Sequence, residues 1–113
     1  MKLCYIAGPY NAPTHWGIEE NIQRARRAGA EVVRCGAFPV VPHQNTAHYG
    51  GLADERFFYE GTMLLLEACQ GILLLDGWER SKGARGEYER ATELDLPSFT
   101  EQQFVELAGW AKS

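Results

Sequence analysis

Short apolar runs alternate with longer amphipathic stretches along this 113-residue chain. Leu3 to Ala7 is an apolar run stopped by Gly8-Pro9, which predicts a buried strand and a sharp turn. The pattern lapses into a loop over Asn11 to Gly17 and resumes at Ile18 with helical spacing. Ile18, Ile22, Ala25, Ala28 or Gly29, and Val32 share one stripe, and Gly36 ends the helix. Phe38 to Val41 predicts a second strand, closed by Pro42-His43. Gln44 to Asp54 is polar and carries Gly50-Gly51, so an eleven-residue loop without secondary structure is expected; loops of that length are often functional. Asp54 is expected to cap a helix running to about Cys69. In that helix Phe57-Phe58-Tyr59 reads as core, with one ring within reach of a pocket. Ile72 to Asp76 predicts a third strand, Ala84 to Leu94 a helix, and Leu96 to Thr100 a last strand. Thr100 is expected to cap a final helix carrying Phe104, Leu107, Ala108 and Ala111.

Strands that alternate with helices imply βαβ units and a parallel sheet covered on both faces. The expected fold is therefore α/β: a small three-layer, Rossmann-like (flavodoxin-like) sheet of about four strands, in one domain spanning residues 1–113. A sheet this small leaves apolar helix surface open, which favours a homodimer.

A net charge of −4 offers no basic footprint for long nucleic acid. Arg24, Arg26 and Arg27 share their helix with Glu19, Glu20 and Glu31, so they read as a solvated face. The apolar runs are too short to span a membrane. Cys4, Cys35 and Cys69 are few, scattered and set in apolar contexts, as expected of buried reduced thiols in a cytoplasmic protein. The apolar run of the first eight residues is short and soon interrupted, so no signal peptide is expected.

The most suggestive stretch for chemistry is Ser81-Lys82-Gly83-Ala84-Arg85-Gly86-Glu87, where the third strand gives way to a helix. Ligands of open α/β sheets bind at that end of the strands, and the free N–H groups of a helix start favour anions. Glu87 is expected there as an ionised nucleophile, and Ser81 near a phosphate or sugar oxygen. The competing readings are a helix-start glutamate that complements the dipole, a capping serine and a turn glycine at Gly83. The loops after the first three strands share one edge, so Tyr10, His43 and Asn45 join Ser81 and Glu87 as candidates. His43 suits a hydrogen bond to a base, a proton transfer or a structural role. Trp16 and Trp78 suit base stacking or packing. His43 and His48 lack a third ligand nearby, so no metal is expected. A Walker A loop, a dinucleotide fingerprint and a G-x-S-x-G elbow are all absent.

Several of these segments together resemble the nucleoside 2-deoxyribosyltransferase superfamily, including the 2'-deoxynucleoside 5'-monophosphate N-glycosidases and short bacterial and phage relatives. The resemblance rests on Tyr5-Ile6-Ala7-Gly8-Pro9-Tyr10, on Glu20-Asn21-Ile22, on Pro39 to His43, and on Leu74 to Glu87 with Ala91. It spans nearly the whole chain. It implies that Glu87 attacks or stabilises the anomeric carbon as the N-glycosidic bond breaks, and that Gly8, Tyr10, Asn21, His43, Asn45, Trp78, Ser81 and Gly83 line the substrate site. The serine at position 81 is similar to the monophosphate-cleaving branch, so a nucleoside 5'-monophosphate is the implied ligand, with no cofactor. Thr62 stands where the superfamily commonly has an aspartate, and Gln70 stands where another usually precedes the third strand. That leaves Glu60 as a stand-in carboxylate, or else a non-catalytic nucleotide-binding or regulatory module.

Overall fold

The computed structural model describes residues 1–113. Four strands, β1 (Leu3–Ala7), β2 (Phe38–Val40), β3 (Gly71–Leu74) and β4 (Ser98–Thr100), form one sheet in the order β2-β1-β3-β4. Every pairing is parallel, with Tyr5 opposite both Val40 and Ile72. The helices are α1 (His15–Cys35), α2 (Pro42–Asn45), α3 (Glu55–Glu67), α4 (Lys82–Glu93) and α5 (Phe104–Lys112). The architecture is the expected α/β fold, compatible with a three-layer Rossmann-like arrangement.

Strand alternation divides the core in two. Cys4, Ile6, Leu73, Leu75 and Phe99 pack with Ala25, Ala28 and Val32 of α1 and Leu107 of α5. Tyr5, Ala7, Ile72 and Leu74 pack on the other face with Leu66 of α3 and Ala91 of α4. The second face is the one that matters for the site, because Tyr5 points into it.

Several boundaries differ from expectation, each for a local reason. Helix α1 starts at His15, three residues early, because Thr14 caps it by accepting from Gly17 N at 3.0 Å. Helix α4 starts at Lys82 with Ser81 as its cap, where Ser81 Oγ accepts from Ala84 N at 3.2 Å. Asp54 caps α3 as expected, but Thr100 does not cap α5. That helix begins after Gln103, whose side-chain oxygen accepts from Thr100 N at 3.0 Å. The expected structureless loop opens with the short helix α2, favoured by a proline at its first position. Phe57-Phe58-Tyr59 is not core: Phe57 is 64% exposed and Tyr59 is 42% exposed. Helix α3 fully buries Leu66 alone, and its first turns carry only one half-buried ring, Phe58.

The cysteines are reduced, with Cys4 and Cys69 buried and Cys35 half-buried. Burial pushes the Cys4 thiol up to about 12 and the Cys69 thiol up to about 11, so neither is a nucleophile at neutral pH. No helix is long and apolar enough to cross a membrane.

Two glycines mark close approaches. A Cβ on Gly8 would meet Leu75 at 2.8 Å, so the end of β1 and the end of β3 touch only because Gly8 has no side chain. A Cβ on Gly71 would meet the Trp110 ring at 2.7 Å and 2.8 Å. Gly71→Ala therefore overpacks the start of β3 against α5 and is expected to cost about 1–3 kcal/mol of stability in urea unfolding; an unchanged midpoint would contradict this packing.

Candidate active site

Because all four strands are parallel, their carboxyl ends share one edge, and the loops after β1, β2 and β3 meet there. Helix α4 descends from that edge across β1 and β3. Its early start makes Glu87 the sixth helical residue, in the second turn, and not the first-turn glutamate that the helix dipole would hold ionised. The turn of the helix aims Glu87 inward at the sheet. Its residue is only 8% exposed.

Inside, the Tyr5 hydroxyl of β1 donates to Glu87 Oε2. Burial pushes the Glu87 carboxyl up to about 7, and the Tyr5 hydrogen bond pulls part of the way back. Desolvation wins, so the expectation of a permanently ionised carboxylate is corrected: Glu87 titrates near neutrality. Burial first, and the neighbouring Glu87 second, drive the Tyr5 phenol far upward, so Tyr5 is a permanent donor. The Thr62 hydroxyl pulls the Tyr5 phenol the other way, while donating to Tyr59 O at 2.9 Å. Thr62 thus stands at the Tyr5 side of the pair without supplying a second carboxylate.

Glu60 is exposed and paired with Arg56 at 2.8 Å, one helical turn back. No hydrogen bond ties it to Tyr5 or Glu87. Ser81 spends its lone pair on the helix cap, yet its hydroxyl proton stays available to an anion in front of α4. The space beside Gly83 is open, with nothing within 4 Å of where a Cβ would stand.

The other sequence candidates serve the loops around this pair. Asn21 Nδ2 donates to Tyr10 O at 3.0 Å. His43 is buried, and burial lowers its pKa, so it is a neutral imidazole whose Nε2 meets Pro9 O at 3.0 Å. That bond assigns the proton to Nε2 and leaves Nδ1 without a partner. Tyr10 Oη accepts from His48 N at 3.2 Å. Asn21, His43 and Tyr10 therefore act together as fasteners of the loop after β1. Asn45 is exposed and lines an open groove of about 460 Å³ along the free edge of β2, with Phe38, Val40 and Leu65. The Trp78 ring packs on Tyr88 with centroids 4.8 Å apart, and Trp16 is 71% exposed.

Two residues have contacts here that the sequence did not assign. Tyr59 of α3, one of three rings expected as core with one within reach of a pocket, rests its hydroxyl against Gly86, the neighbour of Glu87, and its phenol is raised by burial and by the Glu87 and Glu89 charges. Arg24 is no solvated bystander: its Nη2 donates to Asp76 O at 2.6 Å and pairs with Glu101 at 2.9 Å, pinning the loop after β3 to α1. Spacing alone carries no signal for either contact.

A carboxylate that ionises near pH 7, a tyrosine donor fixed against it, and an open helix start nearby can together hold a phosphorylated ligand and attack an electrophilic carbon. A stability test isolates the buried group. Folding raises the Glu87 pKa from 4.5 to about 7, so its stabilising contribution is complete below about 4.5 and is lost as pH rises through about 7. That loss should reach roughly 3 kcal/mol on the alkaline side. Urea unfolding at acidic and alkaline pH should show it in the wild type and not in Glu87→Gln; the same slope in both would contradict it.

The chain belongs to a family described as a domain of unknown function (DUF7768), which matches residues 2–100. No curated protein matches it.

Proposed function

We propose that this member of the DUF7768 family cleaves or transfers the N-glycosidic bond of a (deoxy)nucleoside 5'-monophosphate, with Glu87 as nucleophile. The observation that carries the reading is the buried Glu87 carboxylate, held by Tyr5 beside the helix start capped by Ser81. A carboxylate near the anomeric carbon is the working part of retaining glycoside cleavage. Glu87 bonds to C1' as the C–N bond breaks, and the base leaves with the electron pair and takes up a proton. Water, or a second base, then takes the sugar from the Glu87 ester. The 5'-phosphate would lie in front of α4, accepting from the Ser81 hydroxyl and the free N–H groups of the first turn. The resemblance to the nucleoside 2-deoxyribosyltransferase superfamily supports the same assignment.

A second reading has its own support. Retaining glycosidases work with two carboxyl groups about 5–5.5 Å apart. Here the neighbour of the Tyr5–Glu87 pair is Thr62, while Glu60 is engaged by Arg56. A single-carboxylate site fits a nucleotide-binding or regulatory module that holds its ligand without cleaving it. In either reading the protein works as a homodimer. The exposed Phe57 and Leu64, two turns apart on α3, support a second copy as neighbour.

A chromatographic screen of nucleosides and their 5'-monophosphates for released base separates the readings. Cleavage predicts base from monophosphates in preference to nucleosides, and a loss on the order of 10³-fold or more in Glu87→Ala with the fold retained. It also predicts kcat/KM rising with pH through about 7, as Glu87 ionises. Nucleotide binding by calorimetry without any base release would instead establish the binding module, and turnover untouched in Glu87→Ala would end the nucleophile assignment.

A further inference from the structure

We propose that Tyr59 is a movable gate over Glu87, with Gly86 as its seat. The Glu87 carboxyl is nearly enclosed: Tyr5 occupies its inner side from β1, and the residue is 8% exposed. Tyr59 reaches over from α3 and sets its hydroxyl on the backbone of α4 at Gly86. A Cβ on Gly86 would overlap that hydroxyl and lie 3.2 Å from the ring carbon Cζ. Gly86 is not a left-handed position, so the backbone does not require a glycine; the seated tyrosine does. A glycine inside a helix is less stabilising than an alanine, so α4 gives up stability to accept this ring.

The gate is free to move because of how it is mounted. Tyr59 is 42% exposed, so its ring swings outward without tearing a core contact. The turns of α3 that carry it, Glu55 to Gly61, contain no buried residue, and Leu66 near the far end is the anchor. The charged and titratable groups facing the ring are Glu87 and Glu89 of α4. Closed, the gate keeps the carboxyl out of water and neutralisable; open, it presents the carboxyl to a ligand whose sugar takes the place of the phenol. The gate serves the reading of Glu87 as the reactive carboxylate, but its test does not depend on that reading.

The test measures access to Glu87 directly. Intact protein is treated with a water-soluble carbodiimide and a small amine, and labelling of individual carboxyls is followed by peptide mass spectrometry. Exposed Glu89 serves as the internal reference, and the buried Cys4 thiol, silent to alkylation, certifies the fold. The wild type and Tyr59→Phe, which keeps the ring, should label Glu87 slowly. Tyr59→Ala and Gly86→Ala should label it several-fold faster, with Glu89 unchanged. Gly86→Ala adds a better helix former and unseats the Tyr59 ring without removing the Tyr59 or Glu87 side chain, so it carries the test even if Tyr59→Ala fails to fold. Slow labelling of Glu87 in folded Gly86→Ala would overturn the gate. Base release is not read here, so a chain that binds nucleotides without cleaving them tests the gate equally well.

Discussion

Tyr5 lies in the middle of a fully covered strand, and its hydroxyl is satisfied by donating to Glu87. Both groups are costly to bury alone: a phenol without a partner loses a hydrogen bond, and a carboxylate loses its hydration. Together they form a polar post between sheet and helix that fixes α4 in rotation over β1. The pairing also sets the chemistry, because burial raises Glu87 while the Tyr5 bond keeps its charged form within reach of neutral pH. A carboxyl balanced that way is suited to a bond-forming step, whereas a solvated glutamate would be ionised but poorly nucleophilic toward a carbon shielded by water.

The edge of the sheet is held just as deliberately. The Pro9–Tyr10 turn accepts from Asn21 at one carbonyl and meets His43 at the other. Arg24 pins the Asp76 carbonyl and Glu101 together, and Glu101 in turn accepts from Asp76 N at 2.7 Å. The loops after β1 and β3 are thus fastened to α1 and α2 on one face, while Tyr5 and Glu87 sit on the other. The loops at the sheet edge and the helix α3 are built differently: one is held by part-buried and exposed side-chain hydrogen bonds, the other by a single fully buried anchor, Leu66.

Much of this was legible in the residues. The apolar runs of β1 and β3 and the stripe of α1 have clear periods, and Gly36, Asp54 and Gly8-Pro9 are strong punctuation, so the parallel α/β order followed directly. Capping was partly legible: Ser81 stood as a possible cap and is one, whereas Thr14 caps α1 three residues before the apolar stripe begins and Thr100 gives way to a helix that starts after Gln103. At the site, Glu87 was found from its place after a strand, but its state was misjudged. The two extra residues at the start of α4 move it from the dipole-stabilised first turn to the buried second one. Roles that depend on contacts between distant segments left no local trace. Asn21 and His43 drew notice as ligand groups, and their hydrogen bonds to the Pro9–Tyr10 turn were not readable from spacing. Tyr59 looked like core and lies at the surface over Gly86.

Whether Glu87 is a buried carboxyl tuned by Tyr5 is read from a carbon-13 NMR titration of its carboxyl. The expected midpoint lies near the raised value of about 7, moving higher still in Tyr5→Phe, where the hydrogen bond that favours the ionised form is gone. A midpoint at the ordinary value of 4.5, unmoved by Tyr5→Phe, would contradict it.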